Sequence, residues 1–167
     1  MKKFWMIAVS AVMMVCLLCA CGGQKKDETV NKNVDLNEMF TELDKTYQWG
    51  DSLMDLEGEM LDAFYPGLSD LKPKQIVAKS PWIAQQVEEF VFVEMENEAD
   101  ADKAEEIMNG RITYQVGDDT TPGGAWYPES IEQWKTAEVV RNGNYVALVA
   151  SGTVQKEVVD VFNKSFQ

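Results

Sequence analysis

The chain has no histidine and few cysteines, and both shortages exclude kinds of chemistry. Without histidine, its 167 residues cannot form a Ser-His-Asp triad, a Cys-His dyad or an HExxH zinc site. The sequence also lacks a phosphate loop with Walker spacing and an S-x-x-K motif, so Ser130 and Ser151 are not expected to act as nucleophiles. We therefore expect a protein without a cofactor, a metal or catalytic residues.

Positive charge is scarce as well. Lys and Arg number 15 against 28 Asp and Glu, which gives a formal net charge of −13. Proteins that bind nucleic acid neutralise its phosphates with Lys and Arg, and an acidic chain is repelled by them. The composition therefore argues against a nucleic-acid partner.

The N-terminus has the features of an export signal. A basic start, Met1-Lys2-Lys3, precedes an apolar run over 4–18 that is too short to span a membrane as a helix. The next residues, Leu18-Cys19-Ala20-Cys21, resemble a bacterial lipobox. The resemblance implies a signal peptide over 1–20 and diacylglycerol on Cys21. The alternative is an ordinary secretory signal that leaves Cys21 as a free thiol.

Residues 21–33 are predicted to be the lipidated cysteine and a disordered tether, because they are polar almost throughout. Fully extended, at about 3.3 Å per residue, this segment reaches roughly 40 Å. Two acyl chains suffice for stable anchoring. We therefore expect the folded part to stay near the outer face of the cytoplasmic membrane, with the membrane as a partner through Cys21.

Residues 34–167 are predicted to form a single domain that begins with two helices. Asp35 and Glu38 have capping-box spacing, and apolar residues then recur at helical intervals. The apolar positions are Met39, Phe40, Leu43 and Tyr47, then Leu56, Met60, Leu61 and Phe64. Pro66-Gly67 should end the second helix. The stretch 68–82, with Pro73 and Pro81, reads as a connection or a short helix.

The remainder predicts a β-α-β-β-α unit. The strands are expected at 87–95, 137–141 and 144–150, the last two joined by Asn142-Gly143, which is a strong hairpin signal. A helical stripe should end by Gly117, and Thr153 should cap a final helix. The fold class is thus α+β, with a small mixed or antiparallel sheet and helices packed on one face. The third strand could lie between the first two, antiparallel to both.

Several segments together resemble the bacterial lipoproteins with domain of unknown function 4358. They are the lipobox tether, "EGEMLDAFYPG", "QQVEEFVFVEMENEADADKAEEIMNGR" and "WYPESIEQWKTAEVVRNGNYVALVASGTVQKEVVDVFNKSF". The resemblance covers roughly residues 36–166. It implies an extracytoplasmic lipoprotein, most often Gram-positive, and implies no activity.

An aromatic cluster is the preferred binding-site prediction. Trp126, Tyr127 and Trp134 follow Gly123-Gly124, which would let the loop move. Exposed, these rings could stack on a sugar or grip a peptide, and buried they would belong to the core. Arg111, a rare cation in this chain, could pair with a ligand carboxylate or with a neighbouring acid.

The acidic residues raise two further possibilities. A carboxylate pair could hydrolyse a glycoside, and loop carboxylates could hold Ca²⁺. The carboxylate candidates are Glu94, Glu96, Asp118, Asp119 and Glu129, and the calcium candidates are Asp118 to Thr121 or Asp100 with Asp102. Solvated acidic faces, helix caps and turns explain the same residues more simply.

These observations favour a non-catalytic binding or adaptor module of the cell envelope, which contacts an envelope protein or a cell-wall ligand. One alternative is an enzyme that cleaves wall glycan with a carboxylate pair. Another is an accessory solute-binding lipoprotein, although such receptors usually need two lobes.

Overall fold

The computed structural model describes residues 33–167. The predicted signal peptide, Cys21 and the tether up to residue 32 lie outside the described residues. The helices are α1 (Leu36–Tyr47), α2 (Glu59–Phe64), α3 (Glu98–Val116), α4 (Pro128–Trp134) and α5 (Gln155–Lys164). The strands are β1 (Leu53–Asp55), β2 (Gln75–Pro81), β3 (Glu88–Glu94), β4 (Glu138–Asn142) and β5 (Tyr145–Ser151). Within 33–167, no helix is long and apolar enough to cross a membrane.

The α+β class is confirmed, and the five strands form one sheet in the order β1-β2-β3-β5-β4. All neighbouring strands are antiparallel. The prediction that the third of the expected strands lies between the other two is confirmed, because β5 separates β3 from β4. The Asn142-Gly143 hairpin is confirmed too, with Asn142 paired to Tyr145 and Gly143 at φ 59°.

The stretch 68–82 was predicted only in part, because it contains a short 3-10 helix at Ser69–Leu71, as one of the two alternatives had it, but also the whole of β2, which was not expected. Pro73 and Pro81 suggested a connection. Instead, Pro73 precedes the strand and Pro81 is its last residue, where the missing N–H is tolerated. β1, three residues long, lies between α1 and α2 and was not predicted at all. Leu56 consequently lies outside α2.

The prediction that helices pack on one face of the sheet is also wrong. Successive strand residues point to opposite faces, yet every residue from Glu89 to Val93 in β3 is buried, as is all of β5. Two buried faces need two covering layers. Helices α1 and α5 cover one face, and α2, α3 and α4 cover the other.

We name the two faces by their packing. The aromatic face, under α1 and α5, contains the ring cluster of Phe40, Trp49, Phe90, Phe92, Phe162 and Phe166. The pocket face, under α2 to α4, contains mainly aliphatic residues such as Val91, Met108 and Leu148. Asp35 caps α1 on the aromatic face, where its carboxylate accepts the N–H groups of Asn37 and Glu38.

The last helix begins differently from the prediction. Thr153 does not cap α5; the hydroxyl of Ser151 accepts the N–H groups of Thr153 and Val154. The long helix α3 ends at Gly117, as expected. Because α3 follows β3 and returns beside it, its C-terminal part lies over the start of β3. This return brings Arg111 to Glu89.

Candidate functional site

Three of the acidic candidates, Asp118, Asp100 and Asp102, make local contacts. Asp118 Oδ1 accepts three hydrogen bonds, from the N–H and hydroxyl of Thr120 and the N–H of Thr121, each at 2.7 Å. These bonds lower the pKa of Asp118, the Thr120 hydroxyl contributing most. Asp100 pairs with Lys103, and Asp102 with Arg141. Across residues 33–167, no group of three or more His, Cys, Asp or Glu side chains could hold a metal ion.

The predicted aromatic cluster divides into a buried part and an exposed part. Pro128 begins α4, and Ser130 and Trp134 then fall one helical turn apart on its inner side. Trp134 is only 5% exposed and belongs to the core of the pocket face. Trp126 precedes the helix and is 87% exposed, and Tyr127 is exposed beside it.

The glycines before this segment have no room for a side chain. A Cβ on Gly123 would lie 2.2 Å from the carbonyl oxygen of Gln115, and one on Gly124 would lie 2.5 Å from the Tyr114 ring. The loop is also held by hydrogen bonds from the N–H groups of Gly124 and Ala125 to Tyr114 and Gln115. The glycines therefore permit close packing against the end of α3, which fixes where Trp126 projects.

A buried ion pair lies beneath the exposed rings. Arg111 donates from Nε and Nη2 to the two carboxylate oxygens of Glu89, at 2.8 and 2.9 Å. The two residues are 8% and 3% exposed. Glu89 also accepts hydrogen bonds from the hydroxyls of Tyr65 and Ser80. The carboxylate is therefore fully partnered, as a buried charge must be.

Aromatic rings complete the surroundings of the guanidinium. The centre of the Arg111 guanidinium lies 4.3 Å from the centroid of Phe64 and 5.6 Å from that of Trp134. Burial tends to lower the pKa of Arg111, but the hydrogen bonds and charge of Glu89 outweigh it and raise that pKa. Burial, followed by the negative charge of Glu89, raises the pKa of Tyr65 well above its ordinary value. Arg111 and Tyr65 thus keep their protons at neutral pH.

A pocket of about 260 Å³ opens above this ion pair. It lies where the last residues of β2 and the first residues of β3 meet the C-terminal part of α3. Arg111, Glu89 and Trp134 line its inner side. Two exposed indoles, Trp82 and Trp126, line it from outside. Trp82 is 67% exposed, and its indole N–H donates to the carbonyl of Asp51 at 3.1 Å, which orients the ring.

Three of the four predicted binding residues, Arg111, Trp126 and Trp134, therefore meet at one pocket. Tyr127, the fourth, does not line it. Sequence reasoning missed Trp82, Glu89 and Tyr65. Trp82 was missed because the stretch 68–82 was predicted to be a connection or a short helix and not a strand. The Glu89–Arg111 pair follows from the antiparallel return of α3, although a glutamate among the apolar residues of β3 was a signal that the side chain needs a buried partner.

Comparisons with known proteins give no relatives. No protein-family model matches the chain, and neither a curated protein nor a solved structure is significantly similar to it. The resemblance to the lipoproteins with domain of unknown function 4358 stays a prediction.

The Glu89 carboxylate is poorly placed to act as an acid or base catalyst at this pocket. A carboxyl group in that role must be able to exchange a proton with the substrate. The four hydrogen bonds to Glu89 from Arg111, Tyr65 and Ser80 already occupy its lone pairs. The pocket also offers a ligand two flat apolar rings, a partly engaged guanidinium, the Glu88 carboxylate and the side-chain amides of Gln86 and Gln115.

Proposed function

We propose that this protein is a lipid-anchored, extracytoplasmic binding module of the bacterial cell envelope, without catalytic activity. The lipobox resemblance supports the anchor on Cys21 and the location at the outer face of the cytoplasmic membrane. The binding role is carried by a single observation: Trp82 and Trp126, both exposed, flank a pocket whose floor is the buried Arg111–Glu89 pair.

Exposed tryptophan is costly to keep in contact with water, and two such rings at one pocket are typical of a recognition site. The buried pair supports this interpretation, because desolvating two charges makes it a weak source of stability compared with apolar packing. Its geometry does hold Arg111 rigidly at the pocket floor. Pre-formed polar groups of this kind give a binding pocket its orientation and specificity.

Site-specific photo-cross-linking in living cells tests the binding role without knowledge of the ligand. A benzophenone amino acid is placed at position 84, where Ala84 is exposed and lines the pocket, so that both tryptophans remain. The matched control carries it at position 161, where Val161 is exposed on α5 of the aromatic face. We expect a discrete adduct from position 84 that disappears with Trp126→Ala. Equal labelling from both positions would contradict the proposal.

The anchor is tested separately. We expect radiolabelled palmitate or glycerol to label the protein and the label to be lost in Cys21→Ala, with the protein released from the membrane fraction. Unchanged membrane association of the Cys21→Ala protein would contradict the lipid anchor. The cross-linking experiment would still test the binding role of the pocket after that result.

A further inference from the structure

We propose that the pocket binds one N-acetylglucosamine ring of cell-wall glycan, on the side of the protein that faces away from the membrane. This inference rests on the proposed binding function and specifies its ligand. Three features of the molecule carry it: the two indoles, the charge balance at the pocket, and the point where the N-terminal segment leaves the fold.

The two indoles select a ligand with a flat apolar side. Trp82 is held by its hydrogen bond to Asp51, and Trp126 projects from the glycine-packed turn before α4. The axial C–H groups of a pyranose ring form such an apolar side, and they stack on the electron-rich indole surface. At about 260 Å³, the pocket is smaller than the roughly 300–1,000 Å³ that takes a drug-sized molecule. It therefore suits a single ring better than a longer segment.

The charges disfavour an anionic ligand. Arg111 and Glu89 cancel at the pocket floor, and Glu88 adds a second carboxylate to the lining. The chain as a whole carries −13, so the surrounding potential repels anions such as teichoic acid phosphates and acidic headgroups. A neutral sugar avoids this repulsion.

The N–H donors at the pocket favour a sugar that carries a strong hydrogen-bond acceptor. Arg111 uses Nε and Nη2 on Glu89, so Nη1 is directed away from the carboxylate. The amide side chains of Gln86 and Gln115 are also at the pocket. An acetamido carbonyl is a strong acceptor for a guanidinium N–H, which favours N-acetylglucosamine over unsubstituted glucose.

The exit of the N-terminal segment gives the orientation. Asn33 and Val34 are bound to Tyr145 and Gln75, which share one end of the sheet with Glu94. The pocket lies at the other end, beside Pro81 and Glu88, and on the opposite face. Pro81 lies six residue steps along β2 from Gln75, which is about 20 Å at 3.3 Å per residue. The pocket therefore lies at the end of the sheet remote from the predicted anchor, where it can meet the wall.

The test is isothermal titration calorimetry on the mature lipoprotein in detergent, with the β-1,4-linked tetrasaccharide of N-acetylglucosamine as the probe. The glucose tetrasaccharide with the same linkage is the matched ligand. We expect saturable binding of the acetylated probe and at least about tenfold weaker binding of the glucose probe. Trp82→Ala and Trp126→Ala should each weaken the affinity about tenfold. Tyr127→Ala, adjacent in sequence but outside the pocket, should leave it unchanged.

Two results would overturn the inference. One is no heat signal with millimolar acetylated tetrasaccharide while circular dichroism shows a folded protein. The other is equal affinity for both tetrasaccharides or for wild type and both tryptophan variants. In either case, a position-84 adduct that still depends on Trp126 would show that the proposed binding function survives with another ligand. Loss of that adduct as well would overturn both.

Discussion

The two faces of one sheet are built on different principles. On the aromatic face, rings pack against rings: Phe90 lies 4.6 Å from Trp49, and Phe92 lies 6.0 Å from Phe162, between ring centroids. On the pocket face, a charged pair is buried beside the rings of Tyr65 and Trp134, and a cavity opens next to it. Strands β3 and β5 contribute alternate residues to both. The same two strands therefore supply one face of packed rings and one face with a buried ion pair and a cavity.

The difference is instructive because the charged pair is not needed for folding in the way that the rings are. Apolar burial stabilises roughly in proportion to the area removed from water. A buried ion pair stabilises the fold little more than an apolar pair of similar size would. Removing only one partner is what lowers the stability, because it leaves an unpaired buried charge. A second substitution should therefore restore stability to a variant of the ion pair, but not to a variant of the ring cluster.

The largest effect is expected on the aromatic face. Phe92 is fully buried between the rings of Phe40 and Phe162. Phe92→Ala should lower the free energy of unfolding by about 3–5 kcal/mol, since it leaves a cavity that its neighbours cannot fill. Urea denaturation followed by circular dichroism measures this loss. A loss below about 1 kcal/mol would contradict the importance of the ring cluster.

A comparable loss on the pocket face should be partly reversible. Glu89→Leu leaves the buried Arg111 without its carboxylate and should cost about 3–5 kcal/mol. Adding Arg111→Met removes the orphaned charge, and the double variant should regain about 1–3 kcal/mol over the single one. Denaturation of the two single variants and the double variant gives the coupling. Strict additivity of the losses would contradict a coupled pair.

Tyr65→Phe removes one hydrogen bond from the buried carboxylate and should cost about 1.5–3 kcal/mol near neutral pH. The pKa of Tyr65 is raised in the folded state, so its contribution is fully present below the unfolded value of about 10 and is lost as pH rises further. Stability curves at increasing alkaline pH should therefore fall less steeply for Tyr65→Phe than for wild type. Equal slopes would contradict this role for the hydroxyl. Tyr114→Phe, at an exposed ring, is the control.

The smallest effect on stability is expected at the pocket rim. Trp126 is exposed and belongs to neither buried core cluster. Trp126→Ala should change the free energy of unfolding by no more than about 0.5 kcal/mol, while it weakens ligand binding. Thermal denaturation of this variant beside Trp134→Ala sharpens the contrast, because Trp134 is buried and its loss should be several times larger. Similar losses for the two would contradict the division of the aromatic segment.

Turns and helix ends could be predicted from the sequence, because they depend on residues that are neighbours in the chain. Asn142-Gly143 located the β4–β5 hairpin, Asp35 the start of α1 and Gly117 the end of α3. The second covering layer could have been inferred from the unbroken apolar run in β3, since such a run needs burial on both sides. β2 was obscured because prolines at strand ends resemble those of loops.

The site was harder to predict, because its parts lie far apart in the chain. Arg111, Trp126 and Trp134 could be singled out for their residue types. Which of the two tryptophans is exposed depends on where Pro128 starts α4. Glu89 and Trp82 reach the pocket only through the pairing of β2 with β3 and the return of α3. No spacing in the sequence encodes that tertiary arrangement directly.

One NMR measurement compares the two faces directly: the indole N–H signals of the protein during titration with the N-acetylglucosamine tetrasaccharide. Trp49 packs within the aromatic face, whereas Trp82 and Trp126 flank the pocket. We expect saturable shifts of the Trp82 and Trp126 signals, assigned with their Ala variants, and an unmoved Trp49 signal. Shifts of Trp49 alone, or no shifts of Trp82 and Trp126, would contradict a binding site on the pocket face for this sugar.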